Sequence, residues 1–83
     1  MRDMADTVSG GTQLSVLSPR ELEVVGMVAS GLTNVEIARR LQVTVHAVKF
    51  HLASVYRKLG VSNRTEAAVT YLTASQASAG GSE

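Results

Sequence analysis

Two four-residue phrases, Ser18-Pro19-Arg20-Glu21 and Thr33-Asn34-Val35-Glu36, constrain this chain more than any other part of it. Each sets a hydroxyl residue three places ahead of a glutamate. This is the capping-box pattern, in which the hydroxyl accepts from the glutamate's backbone N–H and the carboxylate returns to the cap's own N–H. Pro19, which has no N–H and a fixed φ, suits a first helical position. One helix is therefore expected from Pro19, closed by Gly31 in the left-handed region, and a second from Asn34 to about Leu41. Thr44 can cap a third that runs to Gly60, and Ser62 or Asn63 a fourth from about Arg64 to Thr73. Only Gln42 to Thr44 part the second and third helices, so these two must turn sharply, as in a helix-turn-helix. Four helices and no strand make the expected fold all-α.

The flanks differ in kind. Residues 1–13 contain Thr7, Ser9, Gly10, Gly11 and Thr12 without periodicity, and residues 75–83, SQASAGGSE, are small, polar and glycine-rich. Both are expected to be flexible tails around a domain over 14–74. Roughly sixty residues lie near the lower limit for a domain that folds alone. There is no cysteine, so neither a disulfide nor a thiolate zinc site can supplement the core. No apolar run approaches the roughly twenty residues that span a bilayer, and the first residues lack a signal-peptide pattern. A soluble, intracellular protein with no membrane partner is expected.

On a helical wheel of about 100° per residue, Val45, Val48, Leu52, Val55 and Leu59 of the third helix fall within an arc of about 80°. That stripe should be buried. Opposite it lie His46, Phe50, Ala53, Ser54 and Arg57, with Lys49 at one edge, Tyr56 beside the core, and His51 and Lys58 on the other flank. In the first helix Leu22, Val25, Val28, Ala29 and Leu32 form the expected core side, and Ile37, Ala38 and Leu41 do so in the second. Ala38 is small enough to let the second and third helices approach, so a bulky side chain there should break the motif.

The net charge of +1 conceals an uneven distribution. Between Glu36 and Glu66 lie Arg39, Arg40, Lys49, Arg57, Lys58 and Arg64 with no acidic residue. Such a segment either forms a solvated basic face or meets an anionic partner. Phe50, at the centre of the basic face, either packs under a tail or a neighbouring subunit or meets an apolar group such as the C5-methyl of thymine. Its flanking residues favour the second reading: Lys49 offers a cation for guanine N7 and O6, and Ala53 permits close approach. Catalysis and metal binding find little support. His46 and His51 point about 140° apart on the same helix, and the hydroxyls and glutamates at helix starts are spent on caps. No enzyme and no cofactor are expected, and His51 is expected to buttress the turn or a phosphate.

Leu17 to Val69, with the segments LSPRELEV, GLTNVEIA, VKFHL and KLGVSNRTEA, resembles the LuxR-type (GerE/NarL-like) helix-turn-helix DNA-binding domain of bacterial transcription regulators. The resemblance covers nearly all of the expected domain. It implies a four-helix domain on double-stranded DNA, with base contacts from Lys49, Phe50 and Ala53, and with Arg57 and His46 on the same surface. It also implies phosphate contacts from around Thr33, Asn34, Thr44, Lys58 and Arg64. Three positions depart from the family's habit, and one of them, Ala53 where some members have a cation, shifts the weight of recognition onto Lys49 and Phe50. Ala47 stands where a threonine is frequent, and Val35 where a lysine is, so backbone anchoring should be weaker and dimerisation more important.

In this family the fourth helix commonly mediates dimerisation. Here it is apolar over more of its circumference than one small core can cover, so a homodimer through Val69, Leu72 and Tyr71 is expected; the alternative is a satellite cluster on the domain's own core. Many relatives carry a receiver or ligand-sensing domain of about a hundred further residues. Taken as written, the chain resembles the stand-alone regulators, acting on the bacterial nucleoid in the cytoplasm. RNA polymerase or a regulatory protein is a further candidate partner. The competing function is a protein-interaction module that grips an acidic partner or polymerase subunit with its basic face. A sigma-like promoter reader is a third reading.

Overall fold

The computed structural model describes residues 14–81, with side chains through residue 75. The tail expected over 1–13 lies outside the described residues, as do residues 82 and 83. The elements are α1 (Pro19–Ala29), α2 (Asn34–Leu41), α3 (Val45–Leu59) and α4 (Arg64–Gly81), and no strand occurs among the described residues. Both capping boxes form. Ser18 and Thr33 each accept from the N–H of the following glutamate at 3.1 Å, and Glu21 and Glu36 each accept from the cap's N–H at 2.8 Å. Thr44 accepts from Ala47 N, and Asn63 rather than Ser62 caps α4 by accepting from Glu66 N.

One turn is used three times. After α1, α2 and α3 the N–H of Leu32, Val43 and Val61 reaches back five residues to the carbonyl of Met27, Ala38 and Tyr56. Each time the preceding residue has positive φ: Gly31 (93°), Gln42 (58°) and Gly60 (70°). This is the Schellman closure, with an apolar residue placed just beyond it to pack back on the helix. Gln42 was not foreseen in that role. A side chain in the left-handed region costs roughly 1–2 kcal/mol, and here it occupies the turn that aims α3.

Two small clusters make the core. Val24, Val28, Ile37, Ala38, Val48 and Leu52 join α1, α2 and α3, while Leu17, Val25, Val55, Leu59 and Ala67 join α1, α3 and α4. Tyr56 packs against both. The stripe expected on α1 needs correcting. Val25 and Val28 are buried as expected, but the other buried positions are Glu21 and Val24, while Leu22 is 39 % exposed. The two registers share Val25 and Val28, and a choice made on apolar residues alone discards the one that contains Glu21.

The fourth helix is also longer than expected. It continues to Gly81 instead of stopping near Thr73, so residues 75–81, assigned above to the tail, are helical. No proline interrupts them, Ala74 is buried, and alanine is the best helix former. Near its middle, α4 touches α1 closely: a Cβ added to Gly26 would lie 3.1 Å from the Tyr71 hydroxyl oxygen.

Candidate nucleic-acid interface

On α3 the chain alternates between a sealed face and an open one. Val48, Leu52, Val55 and Leu59 are buried and Val45 is half-buried, whereas His46, Lys49, Phe50, Ala53 and Arg57 are exposed. Their spacing of three and four residues puts the exposed set on one side of the helix. Phe50 is 70 % exposed, the most open large apolar residue of the described chain. His51, half-buried beside it, meets its ring edge to face, with centroids 6.2 Å apart. Among the described residues no acidic side chain pairs with Lys49.

Ser54 is a correction. The wheel placed it on the outward face, yet it is buried, because the start of α1 crosses that flank of α3 and brings Glu21 onto it. The Ser54 hydroxyl donates to Glu21 Oε2 at 2.6 Å, and Lys58 Nζ donates to Glu21 Oε1 at 2.8 Å. Ser18 N donates to the same Oε1, so the capping carboxylate is also the clamp between α1 and α3. The Lys58 ammonium, Ser54 hydroxyl and Ser18 N–H together outweigh the cost of burial and lower the Glu21 pKa from 4.5 to about 2. Arg57 Nη2 donates to Ser54 Oγ at 3.3 Å and extends the chain of polar contacts to the open face.

The residues assigned to phosphates lie at helix ends, Thr44 before α3 and Lys58 near its close, with Thr33, Asn34 and Arg64 at the starts of α2 and α4. Thr33 and Thr44, both exposed caps, accept through the hydroxyl oxygen and so keep the O–H proton to donate outward. Lys58 is exposed and spends one of three donors on Glu21. Arg64 is half-buried. It donates through Nη1 to Asn34 Oδ1 at 2.6 Å and through Nη2 to the Leu32 carbonyl, tying the start of α4 to the start of α2. Asn34 keeps its amide N–H groups for another acceptor. At the start of α2 the Thr33 N–H lowers the Glu36 pKa.

The three residues assigned to a dimer divide. Val69 and Leu72 are 56 % and 44 % exposed, while Tyr71 is half-buried against the core and Gly26. Among the described residues no cluster of three or more His, Cys, Asp or Glu could hold a metal, and no helix is long and apolar enough to cross a membrane. Glu21 and Ser54 are what the residue-by-residue reading missed. The available signal was the spacing of Glu21 from Val24, Val25 and Val28, which sets a carboxylate in line with a core stripe.

Residues 15–71 match the family described as bacterial regulatory proteins, luxR family (GerE). Among curated proteins the chain is 47 % identical over 53 residues to the transcriptional regulatory protein LiaR of Bacillus subtilis (strain 168), covering 64 % of this chain and 25 % of that protein. It is 43 % identical over 56 residues to the HTH-type transcriptional regulator MalT of Vibrio campbellii (strain ATCC BAA-1116), covering 68 % of this chain and 6 % of that one. The monoamine regulon transcriptional regulator of Klebsiella aerogenes is 44 % identical over 52 residues, covering 63 % and 23 %. The chain thus spans a quarter or less of the length of these three relatives.

Proposed function

Since the chain belongs to the luxR family of bacterial regulatory proteins, we propose that it binds double-stranded DNA sequence-specifically as part of transcription regulation in the bacterial cytoplasm, with α3 in the major groove. The observation that carries this is the open face of α3. A largely exposed phenylalanine flanked by Lys49, Ala53 and Arg57 stands opposite a sealed core stripe. That face suits the edges of base pairs: Lys49 and Arg57 supply cations for guanine acceptors, Phe50 an apolar contact for a thymine methyl, Ala53 close approach, and His46 a ring nitrogen at the entering end. Thr33, Asn34, Thr44 and Lys58 act on phosphates, aided by the N–H groups at the start of α2, and Arg64 contributes by holding Asn34 in place. The domain dimerises through the exposed Val69 and Leu72 of α4, with Tyr71 at the edge, placing two α3 helices about one DNA turn apart.

Selection of bound duplexes from a random pool at near-physiological salt tests the whole reading. A two-part motif with half-sites about one helical turn apart supports dimeric recognition, and a single short motif supports a monomer. No enrichment by folded protein overturns the DNA reading in favour of an acidic protein partner. Within a recovered motif, Lys49→Ala is expected to cost about 1–3 kcal/mol of discrimination at one or two positions. Lys58→Ala should instead weaken binding to all sequences and reduce the slope of log K against log salt by about one. Identical behaviour of the two variants across sequences would refute the division between reading and anchoring residues.

A further inference from the structure

Arg57 stands on the open face of α3. This is a long, flexible side chain, and an unrestrained guanidinium on a surface samples many positions, so reading a base edge with it requires the loss of rotamer freedom on binding. In this domain the guanidinium is not unrestrained. Ser54 Oγ lies 3.3 Å from Arg57 Nη2, and the only proton of that hydroxyl goes to Glu21 Oε2 at 2.6 Å. With its proton so committed, the hydroxyl oxygen can face Arg57 only as an acceptor. A hydroxyl donating to a carboxylate is also polarised, which strengthens its own acceptance. The carboxylate in turn is held from three sides, by Ser54, Lys58 Nζ and Ser18 N. Every link but the last is fixed by packing, since Ser54 is 9 % and Glu21 7 % exposed.

We propose that Glu21 and Ser54, which do not face the DNA, are positioning residues for sequence reading, and that the chain of bonds from Glu21 through Ser54 presets Arg57 on the open face of α3. This rests on the reading of α3 as the base-contacting helix. One Nη2 proton is spent inside the domain, and the rest of the guanidinium fork remains to meet a base edge. The relay therefore sets preference at the base positions facing the last two turns of α3, and leaves the strength of phosphate binding alone.

The test uses the full 83-residue chain and a random duplex pool, sequenced after binding, for wild type, Arg57→Ala, Ser54→Ala, Ser54→Thr and the double variant Ser54→Ala with Arg57→Ala. Arg57→Ala should flatten one or two positions of the motif. Ser54→Ala should flatten the same positions, with preference there reduced about 3- to 10-fold, while affinity for a scrambled duplex and its salt dependence stay as in wild type. Ser54→Thr, which keeps the hydroxyl, should restore the preference, and the double variant should be no flatter than Arg57→Ala alone. Glu21→Gln should resemble Ser54→Ala wherever circular dichroism shows it folded.

A purely structural role predicts instead that every position of the motif weakens alike, in step with the loss of folded protein. That pattern, or a Ser54→Ala motif indistinguishable from wild type, overturns the relay. A wild type that enriches nothing overturns the DNA reading and the relay with it. A wild type with a clear motif that Arg57→Ala leaves intact overturns the relay alone.

Discussion

Replacing Ile37 with alanine is expected to remove about 3–4 kcal/mol of stability, most of what a domain of this size has. Ile37 is fully buried at the point where α2 meets both α1 and α3, among Val24, Val28, Ala38, Val48 and Leu52. The loss combines the transfer of several methyl and methylene groups with the cavity they leave, which helices joined by turns of four and three residues have little freedom to close. A domain of this size has about 5 kcal/mol in total, so one residue decides whether the turn between α2 and α3 exists. Urea denaturation measures it. A loss below about 1.5 kcal/mol would mean that the cluster repacks and is less rigid than its burial implies. Ile37→Val, which deletes a single methylene, should cost about 1 kcal/mol and preserve binding.

The second large effect is one of pH. Glu21 has its pKa lowered from 4.5 to about 2 by its bonds to Lys58, Ser54 and Ser18. A depressed pKa in the folded state contributes stability that is fully present above the unfolded value. It is lost as protons bind between about pH 4.5 and pH 2. Discounted for the solvent-open Lys58 end of the pair, the contribution is about 2 kcal/mol. The gap in melting temperature between wild type and Glu21→Gln should therefore be constant from pH 7 to about pH 5 and then shrink toward pH 2. Other carboxylates, Glu36 included, cancel in that difference. A gap unchanged down to pH 2 would show that Glu21 stabilises by shape and packing, with its charge playing no part.

Much of this architecture is local, and so is legible in the chain. Ser18, Thr33 and Thr44 each bond to a residue three places on, and Gly31 and Gly60 take the left-handed conformation that their positions after a helical pattern require. The stripe of α3 follows from spacing alone. What failed did so where a second element intervenes. Ser54 points away from the stripe of its own helix, and only the crossing of α1 buries it. Leu22 is apolar and in helical phase with Val25 and Ala29, yet the core takes Val24 and the carboxylate of Glu21 in its place. Glu21 has a sufficient local role as the partner of the Ser18 cap, and its longer-range one depends on Ser54 and Lys58 of another helix. Gln42 lacks the usual glycine, so its left-handed turn could be inferred only from the shortness of the connection.

The clamp also bears on the order in which this domain assembles. The three helix-closing turns and the caps join residues three to five apart, and such contacts form early and quickly. Ser54 and Lys58 find Glu21 across 33 and 37 residues, so closing these bonds must wait until α1 and α3 have already docked. Bonds absent from the folding transition state act on unfolding alone. Ser54→Ala should accordingly speed unfolding in stopped-flow experiments and leave the folding rate nearly untouched; a slowed folding limb would place the clamp in the nucleus instead. The clamp thus acts as a late latch: it governs how long α3 stays docked once formed, and has little influence on how fast it arrives.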